Sequence, residues 1–144
     1  MIVGIGTDIV EIARLERLIE LGKSAFLDRW YTPAERAYCS DKARPAAHYA
    51  ARLAAKEAVA KAIRWQWAGP VPWREIEILH DPTGAPVAQL TGQAQSLAEA
   101  QSITQIAVSL SHAQDHATAV AIASVSCGAL VVAVPTSHAG NWVV

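Results

Sequence analysis

The stretch Ala50-Ala51-Arg52-Leu53-Ala54-Ala55-Lys56-Glu57-Ala58-Val59-Ala60-Lys61-Ala62 constrains the fold of this chain more than any other. Alanine is the strongest helix former, and a run of such small side chains lets another backbone or a ligand come close. Pro45 stands where proline suits the first turn, so one long helix is predicted from Ala46 to about Ile63. A chain of 144 residues can bury a core around that helix as one domain, with no disulfide or structural metal. Apolar residues make up 52% and charged residues 17%, which excludes a disordered polyelectrolyte and leaves an apolar surplus that favours an oligomer.

The other elements follow from period and punctuation. Ile2 to Val10 is β-branched and glycine-dotted, a buried strand ending in the polar step Thr7-Asp8. Ile12, Leu15, Leu18 and Ile19 then recur at helical spacing, with Gly22 as the stop, so a short helix is expected to Leu21 with Arg14 and Arg17 facing outward. Thr32-Pro33-Ala34-Glu35 is a capping box that starts a helix through about Cys39. Trp65 to Trp73 reads as a loop. Ile76 to Leu79 and Val87 to Leu90 read as a strand pair around the turn Asp81-Pro82-Thr83-Gly84. Thr91 caps a helix to about Gln101, and Ile106 to Leu110 with Thr118 to Val125 form a second hairpin. The order implies an α+β fold, a mainly antiparallel sheet with a long central helix.

Several function classes drop out. A formal net charge of -1 gives no global basic field for nucleic acid or an anionic membrane, so any anion site is local. Cys39 and Cys127 match no metal or redox spacing and read as buried or incidental thiols in a reducing compartment. The opening residues lack a basic n-region, and the longest apolar run, Ala129 to Val134, falls far short of the roughly 20 residues of a membrane span. The expectation is a soluble cytoplasmic protein.

At about 100° per residue, Glu57 and Lys61 lie about 40° apart on one helix face and can act on one ligand. The bland alternative is a solvated pair worth about 0.2–0.5 kcal/mol. Arg52 and Lys56 fall inside the arc of Leu53, Val59 and Ile63, where they either snorkel to water or are buried for a reason. Asp8 at the end of an apolar strand is costly unless it caps the following helix or binds a cation. Two carboxylates with cations nearby are what a Mg²⁺-bound pyrophosphate needs, since Mg²⁺ takes one or two protein carboxylates and fills its shell with waters and phosphate oxygens.

Four blocks together resemble the holo-acyl-carrier-protein synthase family, the small bacterial class of phosphopantetheinyl transferases. They are Gly4-Ile5-Gly6-Thr7-Asp8-Ile9-Val10-Glu11-Ile12 followed by Arg14; Tyr31-Thr32-Pro33-Ala34-Glu35-Arg36; the helix from Ala51 to Ala62; and Val108-Ser109-Leu110-Ser111-His112. The resemblance covers residues 1–125 as a transferase domain and leaves 126–144 as an extension of unknown role. The family also usually runs into a glycine-rich turn after the helix, where this chain has Ile63-Arg64-Trp65-Gln66-Trp67-Ala68-Gly69; packing is the favoured reading of the tryptophans, stacking on adenine the other.

The resemblance implies transfer of 4'-phosphopantetheine from coenzyme A to a serine of apo-acyl carrier protein, Mg²⁺-dependent, releasing adenosine 3',5'-bisphosphate, in fatty acid biosynthesis. It implies Asp8 and Glu57 as the metal acids and Lys61 beside the reacting phosphate, these three being catalytic. Lys61, Arg52, Ser111 and His112 are implied at the coenzyme A phosphates, and Arg14, with its neighbour Arg17, at the acidic carrier protein. It further implies a homotrimer. A water on Mg²⁺ or one held by Glu57 takes the serine proton, and the sequence does not separate these. The alternatives are a non-catalytic coenzyme A- or nucleotide-binding oligomeric module, and a scaffold working through its apolar tail.

Overall fold

The computed structural model describes residues 1–66 and 69–126. Strand β1 (Ile2–Glu11) leads into helix α1 (Ile12–Trp30), then α2 (Pro33–Ser40) and the long α3 (Pro45–Ala62). A 3-10 turn (Trp73–Glu75) precedes β2 (Ile76–His80) and β3 (Pro86–Leu90), followed among the described residues by α4 (Gly92–Ala100), β4 (Gln105–His112) and β5 (His116–Ser124). The five strands form one antiparallel sheet in the order β1-β5-β4-β3-β2, as the α+β reading expects.

Helix α3 lies across one face of this sheet, and its small residues are the reason it can. A Cβ on Gly4 would stand 1.9 Å from the Ala62 carbonyl oxygen, and one on Gly6 would stand 1.9 Å from that of Ala58. Strand and helix therefore touch backbone to backbone. Side chains alternate along a strand, so Asp8 is the next residue on the face that carries Gly4 and Gly6, the face turned toward α3. Ala117, Ala119, Ala121 and Ala123 of β5 line the same buried layer, joined by Val59, Ile63, Ile76 and Ile78. The opposite face of β1 leaves Ile5 64% and Ile9 66% exposed.

The capping box forms as expected: the Thr32 hydroxyl accepts from Glu35 N, and Glu35 Oε2 accepts from Thr32 N at 2.8 Å. Glu35 then does more than cap. It is fully buried, pairs with Lys56 Nζ at 2.9 Å, and accepts Ile78 N at 3.0 Å through Oε1. Lys56 is equally buried and also donates to the carbonyls of Trp73 and Ile76. The snorkelling alternative for Arg52 and Lys56 is thus wrong: relative exposure is 2% and 0%.

Three local readings are also corrected. Helix α1 does not stop at Leu21; it breaks at Lys23 (φ 47°, ψ -135°) and resumes to Trp30. Phe26 packs so closely over Gly22 that a Cβ there would meet its Cβ at 2.5 Å, and Phe26 stacks on Trp30, which stacks on Trp73. This aromatic ladder restarts the helix after the glycine. Thr91 precedes α4 without a side-chain cap; Glu75 supplies one, its Oε2 accepting from Ala94 N at 3.0 Å. The hairpin strands extend past Leu110 to His112 and start at His116. Trp65 packs on the core, as favoured, whereas Trp67 and Ala129–Val134 lie outside the described residues.

Candidate active site

Asp8 is not a helix cap. The N-cap of α1 is Glu11, which makes no side-chain cap bond, so the Asp8 carboxylate is free for another role. It receives Lys61 Nζ at 2.7 Å, and the same ammonium donates to the Thr7 carbonyl at 2.9 Å. Lys61 thereby leaves the bland helix pair with Glu57 and crosses to β1. Glu57, half-buried one turn before Lys61, faces the same corner. Burial first, and the Asp8 charge second, raise its pKa above the usual carboxylate value, while Lys61 and Arg14 act against that shift.

The two acids open into a cavity of about 390 Å³, with Asp8 and Glu57 on one wall and Arg14, Leu18, Phe26 and Trp30 on the other. Helix α1 supplies that second wall on both sides of its break at Lys23. Arg14 is exposed on the outward face, as expected, and also acts on Glu57 through this cavity. It makes no ion pair with Glu11 or Glu16. Arg17 is exposed and lies outside the cavity wall.

The corner fits a hard divalent cation. Two carboxylates on separate elements repel each other, Glu57 resists ionising, and a cation between them would relieve both effects. Among the described residues no cluster of three or more metal-ligating side chains exists, so a cation here would have to complete its shell from water or substrate. That is the ordinary habit of Mg²⁺ at phosphate sites.

A second polar cluster surrounds Arg52. Its guanidinium stacks 4.0 Å from the Tyr38 ring centre, and its Nη2 lies 3.3 Å from His80 Nδ1. Among the described residues Nε of Arg52 is the buried side-chain polar atom with no hydrogen-bond partner. His112 closes this cluster from the end of β4, with exposed Ser111 beside it. Sequence reasoning named Arg52, Ser111 and His112 but missed Tyr38, His48 and His80. No spacing rule links those three; only the fold brings α2, α3 and β2 together here. The cluster is separate from the Asp8–Glu57 corner; of the site residues read from the sequence, Asp8, Glu57 and Arg14 line that cavity, and Lys61 joins the corner through its bond to Asp8.

Known proteins share this sequence pattern and fold. Residues 4–121 fit the family model of the 4'-phosphopantetheinyl transferase superfamily. The holo-[acyl-carrier-protein] synthase of Syntrophus aciditrophicus is 43% identical over 122 residues, spanning 85% of this chain and 95% of the relative. That of Geobacter sulfurreducens is 44% identical over the same shares. The crystal structure of the Neisseria meningitidis synthase superposes with a TM-score of 0.76 at 39% identity, covering 86% of this chain and 99% of that one. The Helicobacter pylori synthase in complex with coenzyme A gives 0.72 at 32% identity, covering 83% and 99%.

Proposed function

The chain belongs to the 4'-phosphopantetheinyl transferase superfamily, as an enzyme of the holo-[acyl-carrier-protein] synthase class, and from that premise we propose that residues 1–125 transfer 4'-phosphopantetheine from coenzyme A to a serine of apo-acyl carrier protein with Mg²⁺, releasing adenosine 3',5'-bisphosphate. The observation that carries this reading is the open corner: two mutually repelling carboxylates on one cavity, with a lysine paired to one of them.

Asp8 and Glu57 would hold Mg²⁺, which when bound supplies charge neutralisation to a pyrophosphate. The serine oxygen bonds to the phosphorus that carries pantetheine, and the bond from that phosphorus to the bridging oxygen breaks. Lys61, half exposed at 48%, is placed to stabilise or protonate the departing phosphate. Its hydrogen bond to the Thr7 carbonyl keeps the ammonium at the corner while substrate exchanges with the Asp8 contact. Arg52 and His112 with Ser111 are assigned to coenzyme A phosphates, because a buried guanidinium with an unsatisfied Nε is stabilised by an anion. Fatty acid biosynthesis in the cytoplasm is the setting this assigns.

The outer sheet face supports a homotrimer. Ile5, Thr7 and Ile9 of β1 pair in register with Ile122, Val120 and Thr118 of β5, and Ile5, Ile9 and Val120 are exposed apolar residues on this strip that a partner subunit could cover. Light scattering tests it; a compact, active monomer at micromolar concentration would refute it. The reaction is tested by mixing the protein with coenzyme A, Mg²⁺ and apo-carrier protein and weighing the carrier. A mass gain equal to phosphopantetheine is expected; coenzyme A binding with no gain would instead favour the non-catalytic module.

A further inference from the structure

Arg52 is the centre of a cluster of basic and aromatic side chains. His48 and Arg52 come from α3, Tyr38 from α2, His80 from β2 and His112 from β4. The rings of His48 and His112 meet edge to face with centroids 5.0 Å apart. Tyr38 stacks on His80 at 4.6 Å, meets the edge of His48 at 5.9 Å, and carries Arg52 and Lys42 within 4.0 and 4.2 Å of its centre. The groups whose charges act on His48 are His112, Arg52, Lys42 and His80, every one a base. Two acids stand near the cluster: Glu35 lines the same pocket but is sealed against Lys56, and Asp81 acts on His80 and is held by Thr83 and Ala85. Among the described residues, Arg52 has no carboxylate partner and an unsatisfied buried Nε.

We propose that His48 is a positioning residue of this site, acting through His112, and that His48 takes up a proton when a phosphate group of coenzyme A enters the cluster. The inference rests on the reading of the chain as a transferase that binds coenzyme A. His112 is exposed at a strand end, and the edge-to-face contact from His48 fixes its ring. Two imidazolium rings in that contact repel each other unless an anion lies beside them. Burial, then the charge of His112, then Arg52, Lys42 and His80 hold His48 below its ordinary pKa, so the empty cluster disfavours the imidazolium at His48. A phosphate dianion reverses the local field and favours the imidazolium, whose two N–H groups both donate. The proton comes from solvent, and no covalent bond changes.

The sign follows from linkage. A base whose pKa is low in the free protein and higher in the complex makes binding tighter as pH falls from the bound value toward the free one. For a full proton the Kd falls about tenfold per pH unit across that window. Titration calorimetry of the full chain with coenzyme A at pH 7, in buffers of different ionisation enthalpy, counts the protons. That pH lies above the second phosphate pKa of about 6, so uptake reports the histidines. We expect net uptake in the wild type and a Kd several-fold lower at pH 6.5 than at pH 8. His48→Phe keeps the ring contact without the titrating nitrogens and should flatten both; if it fails to fold, the wild-type buffer series decides. Uptake with coenzyme A but not 3'-dephospho-coenzyme A would place the cluster on the 3'-phosphate, and uptake with both on the pyrophosphate; either supports the proposal. Coenzyme A binding with heats independent of buffer, or uptake unchanged in a folded His48→Phe, would overturn it. Absence of any coenzyme A binding would overturn the proposed function itself.

Discussion

Lys56 and Lys61 sit on the same helix, and each is matched with a carboxylate from another element, yet the two pairs are built to opposite ends. Lys56 and Glu35 are sealed, with side-chain exposure of 0% on both sides. The three ammonium protons of Lys56 find Glu35, the Trp73 carbonyl and the Ile76 carbonyl, and Glu35 also accepts Thr32 N and Ile78 N. Lys61 and Asp8 are left open, at 48% and 14%, beside a second acid that the site destabilises. A saturated pair has no capacity for a ligand, whereas an open, over-acidic corner does. The first joins the start of α2, the beginning of β2 and α3; the second is where the proposed substrate chemistry would take place.

Neutralising one acid of each pair breaks or sharpens this contrast, and it carries the largest effects. Glu35→Gln leaves Lys56 buried without its counter-charge, and removing one partner of such a pair costs about 3–5 kcal/mol. Denaturant unfolding should show that loss, with little soluble protein at the upper end. Glu57→Gln removes a charge that burial and Asp8 already oppose, so unfolding free energy without metal should hold or rise while carrier-protein transfer falls by at least about 10³-fold, the order of losing one electrostatic contact to the reacting group. In the same series Lys61→Ala should lower kcat more than it moves KM. Equal destabilisation by Glu35→Gln and Glu57→Gln would show that the open corner is merely a second structural pair.

What the sequence disclosed about these regions follows the range of the interactions. The Thr32–Glu35 capping box is local, and its residues announced it; the second role of Glu35 was hidden because Lys56 and Ile78 N arrive from distant parts of the chain. The alanines of α3 announced a close approach, but that Gly4 and Gly6 meet them, and so which face Asp8 takes, came only with the fold. Gly22 misled, since glycine signals a helix end locally while Phe26, Trp30 and Trp73 stack to continue it. The motif residues Asp8, Glu57 and Lys61 were legible from resemblance, and the structure groups them. Tyr38, His48 and His80 were not, because a cluster assembled from three elements leaves no period in the sequence.

The smallest effects separate Arg14 from Arg17, which the sequence treats alike. Both are exposed on α1, but Arg14 lines the cavity and acts on Glu57 while Arg17 does neither. If the outward face of α1 docks an acidic carrier protein, each arginine contributes through encounter and register more than through tight contact. Arg17→Glu should then raise KM for apo-carrier protein alone, by roughly two- to fivefold, the scale of an exposed charge pair of about 0.5–1 kcal/mol. Its effect should fade with added salt, because exposed charges are screened within about 8–10 Å at ordinary ionic strength. Arg14→Glu should show the same carrier effect and, unlike Arg17→Glu, a weakened response to Mg²⁺ as pH falls. It removes a cation that favours ionised Glu57 and adds an acid to the cavity, so Glu57 keeps its proton to higher pH and the corner loads metal less readily. Kinetics with carrier, coenzyme A and Mg²⁺ varied in turn distinguishes the two positions. An unchanged carrier KM in both variants would remove α1 as the docking face, and a Mg²⁺ response identical in Arg14→Glu and Arg17→Glu would detach Arg14 from the corner.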